Sequence, residues 1–437
     1  MFLRQRIFVI CQLSLPITLA MLSQSLINLV DAFLISPLGQ DALAAVGAGS
    51  NINFVALSLV AGLSTAIQTL VARRVGAGQS CYCAMPVNHG LLIAAFFALP
   101  VSLLLMLSAP WMLKWFSSDN AILNDAVIYF QIRIMGLMAA TLSLSFRGFW
   151  NGIGCPRLFL YILLFSHGCN ILFSYLLIHG VFFIPPLGIA GAAIGTLISM
   201  YTGVILNFLL LLRKAVPYGF MQRRKAPAEF SRLLRLAIPD SIQQTSFALG
   251  IMVFFLIISQ MGTKEMAITH ILTNLSLILI LPGIGLGMAT TTLVSRSLGA
   301  KRPDEAWRWG KESLYLAVIT LSLLSIPLFL RPDWFLLPFI RDPALLSMGV
   351  TPLRITGLGI LLDTGSLVLT HALLGAGANQ TVLCIRFICQ WLFLLPACWM
   401  VSIPLNMGFT TIWVVHAIQR LISSIAFIIV WQKKHWC

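Results

Sequence analysis

TLVARRVGAG, Thr69–Gly78, returns 223 residues later as TLVSRSLGAK, Thr292–Lys301. In both copies an apolar run meets arginine and then glycine, the pattern of a membrane helix whose arginine halts translocation and whose glycine ends the helix. The same offset of 223 carries Pro16 to Pro239, Gly39 to Gly262, Gly62 to Gly285, and the pair Gly152 and Gly154 to Gly375 and Gly377. Matches held at one spacing over this much chain read as one ancestral unit doubled.

Composition names the solvent of each copy. Of 437 residues, 59% are hydrophobic and 9% charged, where a soluble domain is about a quarter charged. No Asp, Glu, Lys or Arg falls between Ile7 and Val30, between Met266 and Ser295, or between Leu158 and Leu212, where Pro185-Pro186 splits the run in two. A span needs about 20 apolar residues, and outer-membrane barrel strands alternate instead of running on, so the chain reads as an all-α polytopic membrane protein. Spans are expected near 8–35, 43–72, 87–110, 124–147, 158–180, 188–212, 233–260, 267–295, 311–330, 346–374, 380–402 and 409–431. With six helices each, both halves enter the membrane from one side and are related by a pseudo-two-fold axis along its normal. The expected organisation is an N-lobe, 1–212, a linker, 213–232, and a C-lobe, 233–437.

Charge sets the orientation. Twenty Lys and Arg fall to one face, seven of them between Arg213 and Arg235, while Lys114, Lys264, Arg331 and Arg341 fall to the other. Positive charge collects on the cytoplasmic side, so both termini are expected there, in a multi-pass cell membrane protein of a bacterial inner membrane. The +15 net charge is mostly this signal, and without aromatics interleaved on a soluble face it does not indicate nucleic acid as a partner. The first apolar run lacks a small-residue cleavage pattern and reads as a helix, not a signal peptide. Nine scattered cysteines offer no CxxC pair or zinc spacing and read as small buried hydrophobes. Neither HExxH nor GxSxG occurs, and no enzyme activity or cofactor is expected. Two lobes joined by a long linker are how secondary transporters alternate access.

Three stretches carry a family resemblance: SLPITLAMLSQSLINLVDAFLISPLGQDALAAVGAG at 14–49, AITHILTNLSLILILPGIGLGMATTTLVSRSLGA at 267–300, and GIAGAAIGTLIS at 188–199. With its early proline, its Val-Asp and its Leu-Gly before an Ala-rich second helix, the first resembles the opening of the multidrug and toxic compound extrusion (MATE) family. The others resemble that family's eighth and sixth helices, and the likeness covers essentially the whole chain. It implies a V-shaped, MATE-like pair of six-helix lobes, acting as a monomer, that exports small amphiphilic and often cationic compounds in antiport with H+ or Na+.

Ionisable residues inside the helices carry the candidate chemistry. Asp31, in INLVDAFLIS, is a carboxylate among Leu, Val, Phe and Ile; losing hydration there suits it to exchange a proton. It matches the family's first-helix aspartate, to which coupling-ion binding is ascribed. Asp363 is a second buried acid, similar to the tenth-helix aspartate that some members carry in a cation site. Asn170 and Ser174, four apart in SHGCNILFSYLLI, share a helix face; one subgroup has Asn and Asp there, so Ser174 removes a carboxylate. Gln243 and Gln244 stand where another subgroup has glutamate, leaving its sodium site half present. Gln24, Asn28, Gln243, Gln244, His270 and Asn274 are candidates for lining a substrate cavity, and Arg133 and Arg354 either snorkel or bind an anionic cargo. Pro16 and Pro239 each remove a backbone hydrogen bond and are expected to let their helices bend.

The expected mechanism is proton entry to Asp31, hydrogen-bonded to Asn170, with Asp363 a second cation or cargo contact. A flippase for a lipid-linked precursor is the alternative, favoured if Arg133 and Arg354 face inward.

Overall fold

The computed structural model describes residues 3–114, 120–180, 185–222, 227–340, 342–405, 407–434 and 436. Arg223, Arg224 and Lys225 of the linker, Arg341 and Cys437 lie outside the described residues. The described residues form helices joined by short turns. Numbered by span, these are α1 (Leu3–Ile35), α2 (Gln40–Gly76), α3 (Ser80–Leu113), α4 (Asn120–Ile134 and Leu137–Gly152), α5 (Pro156–His179) and α6 (Gly188–Lys214). The second half follows with α7 (Pro227–Ser259), α8 (Thr263–Gly299), α9 (Pro303–Leu330), α10 (Pro343–Ala376), α11 (Asn379–Ser402) and α12 (Phe409–Gln432).

Among the described residues eleven helices are long and apolar enough to cross a membrane, and the two pieces of α4 make a twelfth if taken as one span. That helix bends by 42° where the sequence reads as one run. The break falls at Gly136, whose N–H bonds Arg133 O three residues back instead of four, a tightening that glycine's poor helix propensity permits. α9 begins eight residues before its apolar stretch, because Pro303 at its first turn and Asp304 and Glu305 start a helix in residues that hydropathy discounts.

The doubling is visible in the backbone. α2 and α8 are each 37 residues long and begin after Gly39 (φ 108°) and Gly262 (φ 152°), at values where only glycine is at ease. Both end on alanine with nearly identical angles, φ −78° and ψ 1° at Ala77 against φ −76° and ψ 3° at Ala300. Close helix crossings repeat as well: a Cβ at Gly152 would stand 3.0 Å from Gln68 O, and one at Gly375 would stand 2.7 Å from Thr291 O.

Contacts group the chain into two compact units, Leu19–Thr245 and a second that joins the chain up to Thr18 to the chain from Ser246 onward. The borders run inside α1 and α7, a few residues after Pro16 and Pro239, where a cut in the linker would have left both helices whole.

In the unit Leu19–Thr245, Phe146, Phe149 and Trp150 of α4 pack with Ile67 and Val71 of α2 and Leu233 of α7. The Trp150 indole N–H donates to Asn207 Oδ1 at 3.2 Å. The first half of α7 is held here. Gly62 N–H donates to Ser241 Oγ at 3.2 Å, Ser58 Oγ bonds Thr245 Oγ1 at 3.0 Å, and Glu229 pairs with Arg74. A Cβ at Gly62 would run into the backbone of Ala237, Asp240 and Ser241.

The second unit buries Ile258, Leu272, Leu328, Leu353, Cys398 and Ile412 around Trp413. Its hold on the first half of α1 mirrors the other. A Cβ at Gly285 would run into Thr18, the residue 223 before Ser241. Arg6, which is 223 before Glu229, bonds Glu312 at 2.6 Å, approaches Glu305 at 3.9 Å and lies 4.2 Å over the Trp309 ring. Equivalent places thus hold opposite charges.

The cysteines correct one expectation: all those described are free, but only Cys83, Cys389 and Cys398 are buried, while Cys11, Cys81, Cys155 and Cys384 are exposed.

Candidate functional site

Asp31 sits near the far end of α1, half-buried, with its Oδ1 out of reach of water and of any hydrogen-bond donor. The charge that faces it is Arg133, at the end of the first piece of α4. Arg133 Nε and Nη1 are themselves buried without acceptors. The bend at Gly136 follows directly and fixes where this guanidinium is presented.

Asn170 and Ser174 share one face of α5, and both are buried. Ser174 lies in the α5–α6 crossing, where a Cβ at Gly195 would meet its backbone at 2.6 Å. Asn170 Oδ1 and Ser174 Oγ are without partners. Among the described residues no hydrogen bond joins Asp31 to Asn170, contrary to the expected partnership. Buried oxygens without hydrogen-bond partners therefore stand on both α1 and α5.

Of the remaining candidates, Gln24 Nε2 and Asn28 Oδ1 are 3.4 Å apart on an exposed face of α1. Gln243 and Gln244 are half-buried on α7. His270 is exposed and stacks on Phe255 with ring centroids 4.4 Å apart, and Asn274 is exposed one turn on. Arg354 is exposed, so the two expected basic residues part company: Arg133 faces an acid and Arg354 lies at the surface. Pro16 and Pro239 lie inside continuous helices.

Asp363, 9% exposed in the middle of α10, meets two cations, Arg420 of α12 and Arg386 of α11, and bonds the Ser366 side chain. Arg386 Nη2 donates to Thr370 Oγ1 at 3.0 Å and reaches Ser366 O at 3.4 Å. His416 lies one turn from Arg420 on α12, beside the rings of Phe254 and Trp413. Neither arginine was singled out from the sequence. Both stood there as ionisable residues inside predicted spans, assigned to neither face, which is the signal that would have found them.

A second group also escaped the sequence reading. Asp240 is 1% exposed in the first half of α7, with Arg147 of α4 and the Thr65 hydroxyl as its polar neighbours. Arg147 Nε donates to Ser64 Oγ at 3.0 Å. Asp240 follows Pro239 directly, and an acid beside a helix proline was the visible clue. Among the described residues no cluster of three His, Cys, Asp or Glu could hold a metal ion.

The MatE family model matches this chain twice, over residues 16–176 and 239–400, one match in each copy of the repeat. A probable multidrug resistance protein NorM of Mannheimia succiniciproducens is 25% identical over 422 residues, 94% of this chain and 90% of its own length. An uncharacterized transporter, YisQ of Bacillus subtilis, is 23% identical over 98% of this chain and 95% of its own length. Among solved structures, a multidrug resistance MATE family transporter in an outward-facing conformation superposes with a TM-score of 0.91 at 19% identity. A MOP superfamily transporter from Pyrococcus furiosus, described as having a binding pocket of reverse polarity, superposes with a TM-score of 0.90 at 18% identity. Each covers 97% of this chain and 95% of its own.

Proposed function

The chain belongs to the MatE family of transporters, and from that premise we propose that it exports small amphiphilic organic compounds by alternating access, in exchange for H+ or Na+. The NorM relatives are named for multidrug resistance, and one MATE neighbour was solved in complex with MaD3S; export of drug-like small molecules is carried over here as a proposal. So is the placement of both termini in the cytoplasm.

The observation that carries the coupling site is the unfilled hydrogen-bonding at Asp31 Oδ1, together with the Arg133 guanidinium that faces it. A buried acceptor without a donor is costly, and an arriving proton or sodium ion supplies the missing partner. Ion arrival neutralises the carboxylate that Arg133 faces, so one binding event changes the charge on α1 and leaves the Arg133 charge on α4 without its counter-charge. Asn170 and Ser174, buried with an unpaired oxygen each, are proposed as further contacts for such an ion; with Ser174 in place of a carboxylate, proton exchange in this lobe rests on Asp31 without a second acid on that face. Pro16 lets α1 bend in response.

The test is dye efflux from energised proteoliposomes under imposed proton or sodium gradients, for the parent and Asp31→Asn. Proton-driven efflux that disappears in Asp31→Asn is the expected result. Sodium-driven efflux surviving in the variant would remove Asp31 from the coupling step.

A further inference from the structure

Around Asp363 the charges do not cancel. One carboxylate faces two guanidiniums, Arg386 and Arg420, and among the described residues neither arginine closes a salt bridge with it. Arg386 has other acceptors, Thr370 Oγ1 and Ser366 O, and the Phe427 ring 5.3 Å away. Arg420 does not. It is 9% exposed, and its Nη1 is buried without an acceptor.

What surrounds Arg420 explains why the chain leaves it so. Gly359 of α10 lies against it, where a Cβ would stand 3.5 Å from Nη1; a side chain there would occupy the space that the glycine leaves. His416, one turn before Arg420 on α12, is occupied by the rings of Phe254 and Trp413 and brings no acid to the cluster. Ser423 spends its hydroxyl on Ser366 at 3.2 Å, and Cys389 lies between Arg386 and Ser423. Among the described residues the cluster therefore holds one surplus positive charge and no second acid, with a buried donor, Arg420 Nη1, set against a position on α10 that carries no side chain, Gly359. A guanidinium kept from water in this way calls for an anionic partner.

We propose that Arg420, with Arg386 behind it, forms a binding site for a monovalent anion of carboxylate type, which Arg420 Nη1 contacts directly. Asp363 sets the specificity of that site: by answering one of two guanidiniums it leaves a charge matched to a single negative group. This assigns Asp363 the opposite role from a cation ligand. The carboxylate of an amphiphilic cargo is the occupant that the export reading supplies, and the proposal rests on that reading only for the identity of the occupant.

Radiolabelled benzoate binding to the purified full chain in detergent, in buffer free of halides and carboxylates, tests the site without transport. Saturable binding is expected in the parent, weakened about tenfold or more in Arg420→Gln, the effect of losing one charge-assisted hydrogen bond, and largely kept in Arg420→Lys. Asp363→Asn should bind several-fold tighter, because a competing negative charge is gone. Unchanged binding in Arg420→Gln, or weaker binding in Asp363→Asn, overturns the proposal. If Arg420→Gln is not recovered as a monodisperse protein, the sign of the Asp363→Asn effect decides alone. Displacement of benzoate by an equal concentration of chloride supports the site with an inorganic anion as occupant; retention of benzoate supports it with an organic carboxylate. Loss of dye efflux in the parent while benzoate still binds would remove the export reading and leave the site.

Discussion

Replacing Arg6 by Gln tests the hold on the first half of α1 most directly. Arg6 is nearly buried, with its Nη1 2.6 Å from Glu312 Oε1, and the two side chains are 7% and 16% exposed. At an effective dielectric of about 20 the bare attraction at that distance is about 6 kcal/mol. Desolvation offsets much of this, and removing one partner of a buried pair typically costs about 3 to 5 kcal/mol because the other charge is stranded. Glu312, whose Oε2 already lacks a partner, would be left with no cation in contact. Taking about 3 kcal/mol for a pair this close to the protein's edge, and about 2 to 4 °C per kcal/mol for a unit of roughly 210 residues, Arg6→Gln should lower the melting temperature by about 6 to 12 °C. Intrinsic fluorescence of the detergent-purified protein during heating measures it. Arg6→Gln/Glu312→Gln should melt above the sum of the two single losses. A fall of less than about 2 °C in Arg6→Gln would refute the reasoning.

Glycine crossings give a second test: Gly62→Val should sharply reduce the yield of folded protein, since its Cβ would enter the backbone of α7, whereas Gly47→Val, with nothing within 4 Å, should not; size-exclusion profiles of the two compare them. For orientation, Cys81 at the start of α3 and Cys155 between α4 and α5, both exposed, should each react with a membrane-impermeant maleimide in inside-out vesicles and stay unlabelled in intact cells; the reverse pattern would turn the proposed topology over.

The spans were legible because the bilayer demands long uncharged runs and this chain supplies them at α1, α5, α6 and α8. The repeat was legible because Gly39 and Gly262 must adopt positive φ, and residue types under such constraint survive duplication. The bend in α4 was not: Gly136 sits in an apolar stretch whose hydropathy continues smoothly across it. Asp31 and Asp363 announced themselves as acids in apolar surroundings, but their partners did not. Arg133 was seen without its role, and Arg386 and Arg420 passed as cations without a face, since no local pattern tells which helix a distant guanidinium will approach. The expected hydrogen bond between Asp31 and Asn170 is not found among the described residues, and Arg133 faces the acid instead, because helix periodicity fixes where a side chain lies on its own helix and nothing about its neighbour.

The opposite charges at Arg6 and Glu229 bear on how the chain is made. Two near-identical sockets, one in each half, could each accept either of two near-identical helix starts. Arg6 in the place of Glu229 would confront Arg74, and Glu229 in the place of Arg6 would confront Glu305 and Glu312. The two starts are thus keyed, and an exchange between them is penalised at both ends. The key for α1 also imposes a schedule. Arg6 leaves the ribosome about 300 residues before Glu312 is synthesised, a closure between distant segments that folding reaches late. Until then the first half of α1 waits, inserted but unlatched, for α9.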